Sequence, residues 1–244
     1  MNSIGIVAAL EPEVRSLRRL PEQFVVAVSG MGPERAYRAA QRLVHCGASA
    51  LVSWGCAAAL DSRLAPGALI VPRAIVDASG ETHLVTAGWQ EALGGVLDAK
   101  LKVYTGPLAE ALRTLATGDD KRALWARSRA LGADMESAAV ARAARDLGVP
   151  FVALRAIADG ADVAVPPELE RAVAADGEID VAVTAARLML APWRWPAAIR
   201  VGLGFRAALL TLRIAAPALY ATASSNRYAI EGAAQPADAL LERA

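Results

Sequence analysis

Short apolar runs alternate with stretches of helical periodicity from residue 3 to about residue 190. Residues 3–9 predict a first strand that ends at Glu11-Pro12-Glu13, where proline suits a first helical turn because its missing N–H is no loss there. Residues 24–29 predict a second strand, leading through Gly30-Met31-Gly32-Pro33 into an Ala/Arg-rich helix that reaches about Cys46. Residues 49–54 predict a third strand ending at Gly55-Cys56-Ala57, and Pro66-Gly67 a turn before strands at 68–71 and 74–77. Residues 107–116 and 120–130 are predicted helical. Residues 131–134 lead into Met135-Glu136 and a helix from Ser137 to about Leu147, stopped by Gly148-Val149-Pro150. The strongly apolar strand 151–157 ends at Ala158-Asp159-Gly160, and a last core helix is expected over about 179–190.

Strands alternating with helices in this way predict an α/β fold: three α/β/α layers around a central twisted, mostly parallel mixed sheet, with ligand sites at the carboxyl ends of the strands. From about Pro192 the character changes. Trp193-Arg194-Trp195-Pro196 opens an apolar segment punctuated by Arg200, Arg206 and Arg213. The expected division is therefore a catalytic domain over 1–191 and an amphipathic helical tail over 192–244, whose stretch beyond Ser224 is expected to be mobile. The longest charge-free run, 214–225, is too short to span a bilayer and contains Pro217. Trp, Phe and Leu interspersed with Arg match an interfacial segment, while a dimer contact or a core-capping helix fits the same pattern.

Composition narrows the classes. Hydrophobic residues make up 55% of the 244 residues and charged residues 21%, with 26 Lys plus Arg against 25 Asp plus Glu. A chain so balanced lacks the basic stripe of a nucleic-acid binder, so no nucleic-acid partner is expected. Two cysteines, Cys46 and Cys56, give neither a disulfide framework nor metal-ligand spacing, so no metal is expected and a cytoplasmic, reducing location is. The N-terminus has no basic segment before its apolar run and reads as a strand, not a signal peptide.

Three acids stand at predicted strand ends. Asp159 follows the buried strand 151–157, where apolar walls would raise its pKa and let it donate a proton; Asp-Gly is equally a common turn pair. Glu136 lies where a carboxylate could accept hydroxyl hydrogen bonds and favour nearby positive charge; it also fits a helix first turn, stabilised by the helix dipole. Glu13 could act as a base on water or serve only as a helix-start acid. Ser29-Gly30-Met31-Gly32 joins a strand to a helix start, a natural anion or hydroxyl site. A dinucleotide fingerprint would need glycine where Arg35 stands, which argues against a dehydrogenase.

The order of these segments resembles a family. The run Ile4-Gly-Ile-Val-Ala-Ala-Leu-Glu-Pro-Glu-Val14 is similar to the opening of methylthioadenosine/S-adenosylhomocysteine nucleosidases. Ser29-Gly-Met-Gly32 and Trp54-Gly-Cys-Ala-Ala-Ala-Leu60 resemble their second and third glycine loops. Asp134-Met-Glu-Ser137 resembles the ribose-binding motif of the wider purine nucleoside phosphorylase superfamily, and Phe151-Val-Ala-Leu-Arg-Ala-Ile-Ala-Asp159 its catalytic-acid strand. The resemblance covers about residues 3–190. It implies cleavage of a purine–ribose bond, with Asp159 as general acid and Glu13 as the residue that activates water. Glu136 becomes the ribose-diol ligand and Met135 the packing under the sugar. Ser29, Gly30, Gly32, Gly55 and Cys56 join the substrate-binding set. Asp at position 159, where Asn is the alternative, implies a 6-aminopurine.

Two departures stand out. The third loop reads Gly-Cys-Ala-Ala-Ala where the family has Gly-Ser/Thr-Ala-Gly-Gly, so Cys56 replaces a hydroxyl at a phosphate-type position. No aromatic residue to stack on adenine stands near Thr117-Gly-Asp-Asp120. With the shortened middle region, Val71-Pro-Arg-Ala-Ile-Val-Asp77 and the Trp/Pro/Arg-rich tail, the chain is similar to the hopanoid-associated phosphorylase-like proteins, which implies adenosylhopane as substrate. An ordinary methylthioadenosine/S-adenosylhomocysteine nucleosidase and an inactive membrane-surface binding protein are the alternatives. No cofactor is expected beyond inorganic phosphate as a potential co-substrate. The expected partners are a lipid-linked adenine nucleoside, peripherally the membrane, and a second copy in a homodimer.

Overall fold

The computed structural model describes residues 3–166 and 195–224. The strands are β1 (Ser3–Ala8), β2 (Phe24–Val28), β3 (Ala48–Ala59), β4 (Leu69–Ile70), β5 (Ala74–Val76), β6 (Thr82–Leu84), β7 (Val103–Tyr104), β8 (Leu108–Glu110), β9 (Gly132–Asp134) and β10 (Phe151–Asp159). The helices are α1 (Glu11–Ser16), α2 (Pro33–His45), α3 (Ala87–Asp98), α4 (Gly118–Ser128), α5 (Ser137–Asp146) and α6 (Trp195–Ser224). The helix expected over 179–190 and the mobile end beyond Ser224 lie outside the described residues.

All ten strands form one mixed sheet in the order β6-β5-β8-β9-β3-β10-β4-β7, with β1 between β2 and the first half of β3. Six pairings are parallel, β1–β2, β1–β3, β3–β10, β4–β7, β5–β8 and β8–β9, while β10–β4, β3–β9 and β5–β6 run antiparallel. Helices α2 and α5 cover one face, where Ala36, Ala39, Ala40 and Leu43 meet Ala138–Ala144 over Leu51 and Ala153. Helices α1, α3 and α6 cover the other, with Leu17, Trp89, Leu93, Leu212 and Leu219 over Trp54, Val152 and Leu154. The alanines on both layers let the helices sit close to the sheet. This is the three-layer α/β/α architecture with a mostly parallel mixed sheet that the sequence pattern predicts.

Two segments differ from the sequence reading. Residues 107–116, expected as helix, begin with strand β8, which sits parallel between β5 and β9. All three of its residues are buried, and pairing on both edges overrides the helical preference of the Leu-Ala-Glu-Ala-Leu run. The third glycine segment, expected as a strand end, is continuous strand: β3 runs on through Gly55-Cys56-Ala57 because β10 stays paired with it to Ala58.

The tail is represented by α6, which packs across β10, β3 and β4 and against α1 and α3. It runs unbroken through Pro217. Gly204 sits where α6 crosses β10, and a Cβ there would lie 2.1 Å from the Ala158 carbonyl oxygen, so only glycine permits this approach. Further along, Tyr220 donates its hydroxyl hydrogen to the Leu17 carbonyl and tilts against Phe24, ring centroids 5.1 Å apart. The helix therefore spans the sheet from the carboxyl end of β10 to the amino end of β2.

Candidate active site

The cleft lies at the carboxyl ends of β1, β3 and β10, which run parallel, and beside β9, which runs antiparallel to β3. Its volume is about 180 Å³, and Leu10, Glu13, Met31, Cys56, Met135, Glu136 and Asp159 are among the residues that line it. All three acids singled out in the sequence thus face one cavity.

Glu13 is 2% exposed. Its Oε2 accepts the Ala9 and Leu10 N–H groups, both at 3.0 Å, and caps the start of α1. Its Oε1 reaches across to accept the Cys56 N–H at 2.8 Å. Helix-start acid and cleft acid are therefore both true, one of each oxygen. Burial pushes the Glu13 carboxyl above its ordinary range, against the pull of Arg155 and the three N–H groups. Gly55 makes room for this arrangement: a Cβ there would stand 2.3 Å from Arg155 Nη1 and 2.6 Å from Glu13 Oε1.

Glu136 is the N-cap residue of α5, yet its side chain does not cap that helix. Asp134 does, Oδ1 accepting the Glu136 and Ser137 N–H groups at 3.1 and 2.9 Å. Glu136 is thereby free to turn outward, and its Oε1 accepts the Gly32 N–H at 2.9 Å. The second glycine loop thus holds the carboxylate, while Met31 and not Ser29 faces the cleft. The Ser29 hydroxyl donates to the Gly30 carbonyl at 2.7 Å. Burial, and then the neighbouring Asp134 charge, push the Glu136 carboxyl up to about 7. Cys56 keeps its proton, since burial pushes its thiol well above the usual range.

Arg155, which the sequence reading left out, is the hub. It stands on β10 directly opposite Gly55 on β3 and is 1% exposed. Its Nε lies 2.5 Å from Asp134 Oδ2 and donates to Ser137 Oγ at 3.0 Å, and Nη2 donates to Ser53 Oγ at 2.6 Å. Its Nη1 is buried without a partner, beside Glu13 Oε1. One guanidinium faces three carboxylates, Asp134, Glu136 and Glu13, and its charge only partly offsets the burial that raises Glu136 and Glu13. A lone arginine within an otherwise apolar strand was a usable signal, because a buried charge requires partners.

Asp159 does not close the expected Asp-Gly turn. The register between β10 and β3 slips by one residue between Ile157 and Asp159, and this bulge aims the carboxylate into the cleft. There it meets a second residue with no sequence signal, Lys121 on α4, which has no exposed surface. Lys121 Nζ donates to Asp159 Oδ2 and, at 2.8 Å each, to the Gly160 and Val163 carbonyls, so all three of its donors are used. Burial raises the Asp159 carboxyl and Lys121 opposes that rise; the net direction is upward.

Met135 lines the cleft beside Glu136 and packs on Leu60, Ala109 and Ala133. Arg113 reaches the rim but is neutralised by Asp120 at 2.6 Å. No aromatic side chain lines the cleft among the described residues. Asp77, Glu81 and His83 bring potential ligand atoms within 4.8 Å of one another, away from the cleft, with Asp77 and His83 already bonded to each other at 3.0 Å.

The profile of the phosphorylase superfamily matches residues 17–191. No curated protein sequence matches the chain. Among solved structures, 5′-methylthioadenosine/S-adenosylhomocysteine nucleosidase from Helicobacter pylori superposes with a TM-score of 0.69 at 16% identity, covering 92% of this chain and 99% of that one. Futalosine hydrolase of H. pylori strain 26695 gives 0.70 at 16% identity, with 90% and 97% covered. The Neisseria meningitidis nucleosidase in complex with methylthio-immucillin-A gives 0.69 at 16% identity, with 91% and 100% covered. At these identities the likeness is one of fold.

Proposed function

Because the chain belongs to the phosphorylase superfamily, we propose that its cleft cleaves the N-glycosidic bond of an adenine nucleoside. The observation that carries this reading is the convergence of Asp159, Glu136 and Glu13 on one cavity, each held by a different element. A purine anion is a poor leaving group, so the base must be protonated as it departs. Asp159, raised by burial, is the cleft's proton donor, and Lys121 stabilises the carboxylate left behind. Glu136, fixed by Gly32, accepts the ribose hydroxyls and favours positive charge at the anomeric carbon as the bond lengthens.

Glu13 handles the nucleophile. Its Oε1 lies in the cleft beside the Cys56 N–H, where it can take the proton of an attacking water. A phosphate dianion at that point would sit against the Glu13 carboxylate, and Cys56 offers no hydroxyl to hold it. Hydrolysis is therefore favoured over phosphorolysis.

Adenine is favoured because a carboxyl group can serve N7 and the 6-amino group together, whereas a 6-oxopurine would set a carbonyl against it. The 5′ side of the substrate is read as apolar: Leu10, Met31 and Leu115 line the cleft, and the one arginine that lines it among the described residues, Arg113, is already paired. Adenosylhopane, a nucleoside on a hopanoid lipid, meets these requirements, with peripheral membrane contact and a homodimer as parts of the same reading. Methylthioadenosine is the second substrate to test, since the superposed nucleosidases are named for it. Purified protein is incubated with adenosylhopane, methylthioadenosine and inosine, each with and without phosphate, and products are read by mass spectrometry. Free adenine and a hydrolysed sugar are expected. A preference for inosine refutes the acid assignment, and a phosphate requirement refutes the role given to Glu13.

A further inference from the structure

Helix α6 is built inside out for a soluble protein. Its sheet-facing positions are mostly small, Ala198, Gly204, Ala208, Ala215 and Ala216, with Leu212 and Leu219 filling the remaining space. Its large apolar side chains point away: Trp195, Ile199, Leu203, Leu210 and Ile214 are each between 47% and 63% exposed. At a hundred degrees per residue these positions fall in one stripe along the helix. Arg206 and Arg213 border it on one side and Arg200 on the other, and the helix carries no acidic residue. At its far end Arg18 and Arg19 join Arg213, Pro217 and Tyr220 around a concavity of about 390 Å³. None of these five arginines has an ion pair among the described residues.

We propose that this outer face of α6 docks flat on an anionic lipid surface, apolar stripe in the acyl boundary and arginines on the headgroup phosphates. The helix is long and apolar enough to cross a membrane, but Ala208, Leu212, Ala215 and Leu219 are fully buried in the core. Crossing would pull these residues out of the fold, so α6 lies on the bilayer and does not span it. A second copy fits the face poorly. Pairing two such helices would bring their arginine borders together with no acid in either to answer them, whereas phosphates complement them directly.

The orientation follows from the fold. Gly204 touches the Ala158 carbonyl, next to Asp159, so the Trp195–Leu203 end of the stripe lies at the cleft end of the sheet. Docking by α6 would bring the cleft to the membrane, where a nucleoside carried on a lipid stands within reach. This last step rests on the substrate reading above; the docking itself does not.

The test is co-sedimentation of the full chain with phosphatidylcholine vesicles, with and without one third phosphatidylglycerol, at low and high salt. Wild type is expected to bind the anionic vesicles and to release from them as salt rises. Ile199→Gln/Leu203→Gln/Leu210→Gln is expected to abolish binding. Arg200→Gln/Arg206→Gln/Arg213→Gln is expected to weaken it roughly 100-fold, from three lost phosphate attractions. Circular dichroism and release of adenine from a soluble adenosine analogue control for folding, and both are expected to stay at wild-type level. Wild type that ignores anionic vesicles, or a triple variant that binds like wild type, overturns the proposal. So does a wild-type dimer that the apolar triple variant converts to monomer, because the face would then be an interface between copies. A wild type that sediments with vesicles but releases no base refutes the enzymatic reading and leaves docking standing.

Discussion

Two glycines of one helix, two residues apart, should respond oppositely to the same substitution. Glycine in a helix interior costs about 1 kcal/mol relative to alanine. At Gly202 nothing lies within 4 Å of an added Cβ, so Gly202→Ala should recover that amount and raise Tm by roughly 2–4 °C in a chain of this size. At Gly204 the new carbon would stand 2.1 Å from the Ala158 carbonyl oxygen, and 3.0 Å is about the closest approach a real Cβ makes. Relieving the clash needs about 1 Å of separation between α6 and β10, main chain against main chain, with no flexible side chain to absorb it. Overpacking of this kind costs about 1–3 kcal/mol, toward the upper end here because backbone must move. Subtracting the propensity gain leaves a loss of about 2 kcal/mol, or roughly 4–8 °C in Tm. Because Ala158 precedes Asp159, turnover should fall as well. Thermal and urea denaturation of the two variants side by side, with adenine release alongside, make the measurement. If Gly204→Ala stabilises as much as Gly202→Ala, α6 does not sit on β10 as described.

Asp159→Asn should lose turnover by about 10²–10⁴-fold while still folding, since it removes the proton donor, with a lowered Tm because buried Lys121 loses its counter-charge; near-native activity would remove Asp159 from that role. Lys121→Met takes away the one influence that lowers the Asp159 carboxyl, so Asp159 should stay protonated to higher pH. The alkaline limb of kcat/KM should then move upward, whereas a profile that shrinks without moving would make Lys121 merely structural. Glu136 titrates at about 7 in the fold against an ordinary 4.5. Its contribution to stability is fully present below 4.5 and lost as pH rises through 7, a change on the order of 3 kcal/mol. Urea denaturation across that window should show a decline in wild type that Glu136→Gln flattens, and an equal decline in both would refute the assignment. In kinetics Glu136→Gln should lower kcat together with kcat/KM, because the ribose contact strengthens in the transition state; an effect on KM alone would reduce Glu136 to a binding residue.

The strands β1, β2, β3 and β10 and the helices α2 and α5 were legible because their periodicity and their Gly and Pro boundaries agree with what tertiary packing selects. Glu13, Glu136 and Asp159 were legible by position, each at a strand end, and the cleft indeed gathers all three. The alternatives open at each acid could not be settled from spacing. Asp134 caps α5 in place of Glu136, and a strand bulge, not a turn, aims Asp159. Residues 108–110 misread because three residues carry too little periodicity to oppose a helical neighbourhood. Lys121 was invisible, since Gly-Asp-Asp-Lys-Arg reads as a solvated helix start and only the loop at 160–163 folding over it takes the lysine out of water. In α6 the apolar character was plain but its orientation was not. A helix apolar on all sides does not say which side meets the sheet until the small residues are seen against β10.

The slip between β10 and β3 gives this enzyme a failure mode that no inspection of its motifs would detect. Deleting Ala158 would leave Glu13, Asp134-Met135-Glu136-Ser137 and the Asp-Gly pair all spelled as before, and would restore an uninterrupted ladder in the sheet. It would also remove the bulge that aims the carboxylate into the cavity towards Lys121. A homologue one residue shorter at that point could keep every diagnostic letter and be mute. In sorting such chains, the count of residues between Arg155 and Asp159 carries as much meaning as their identities.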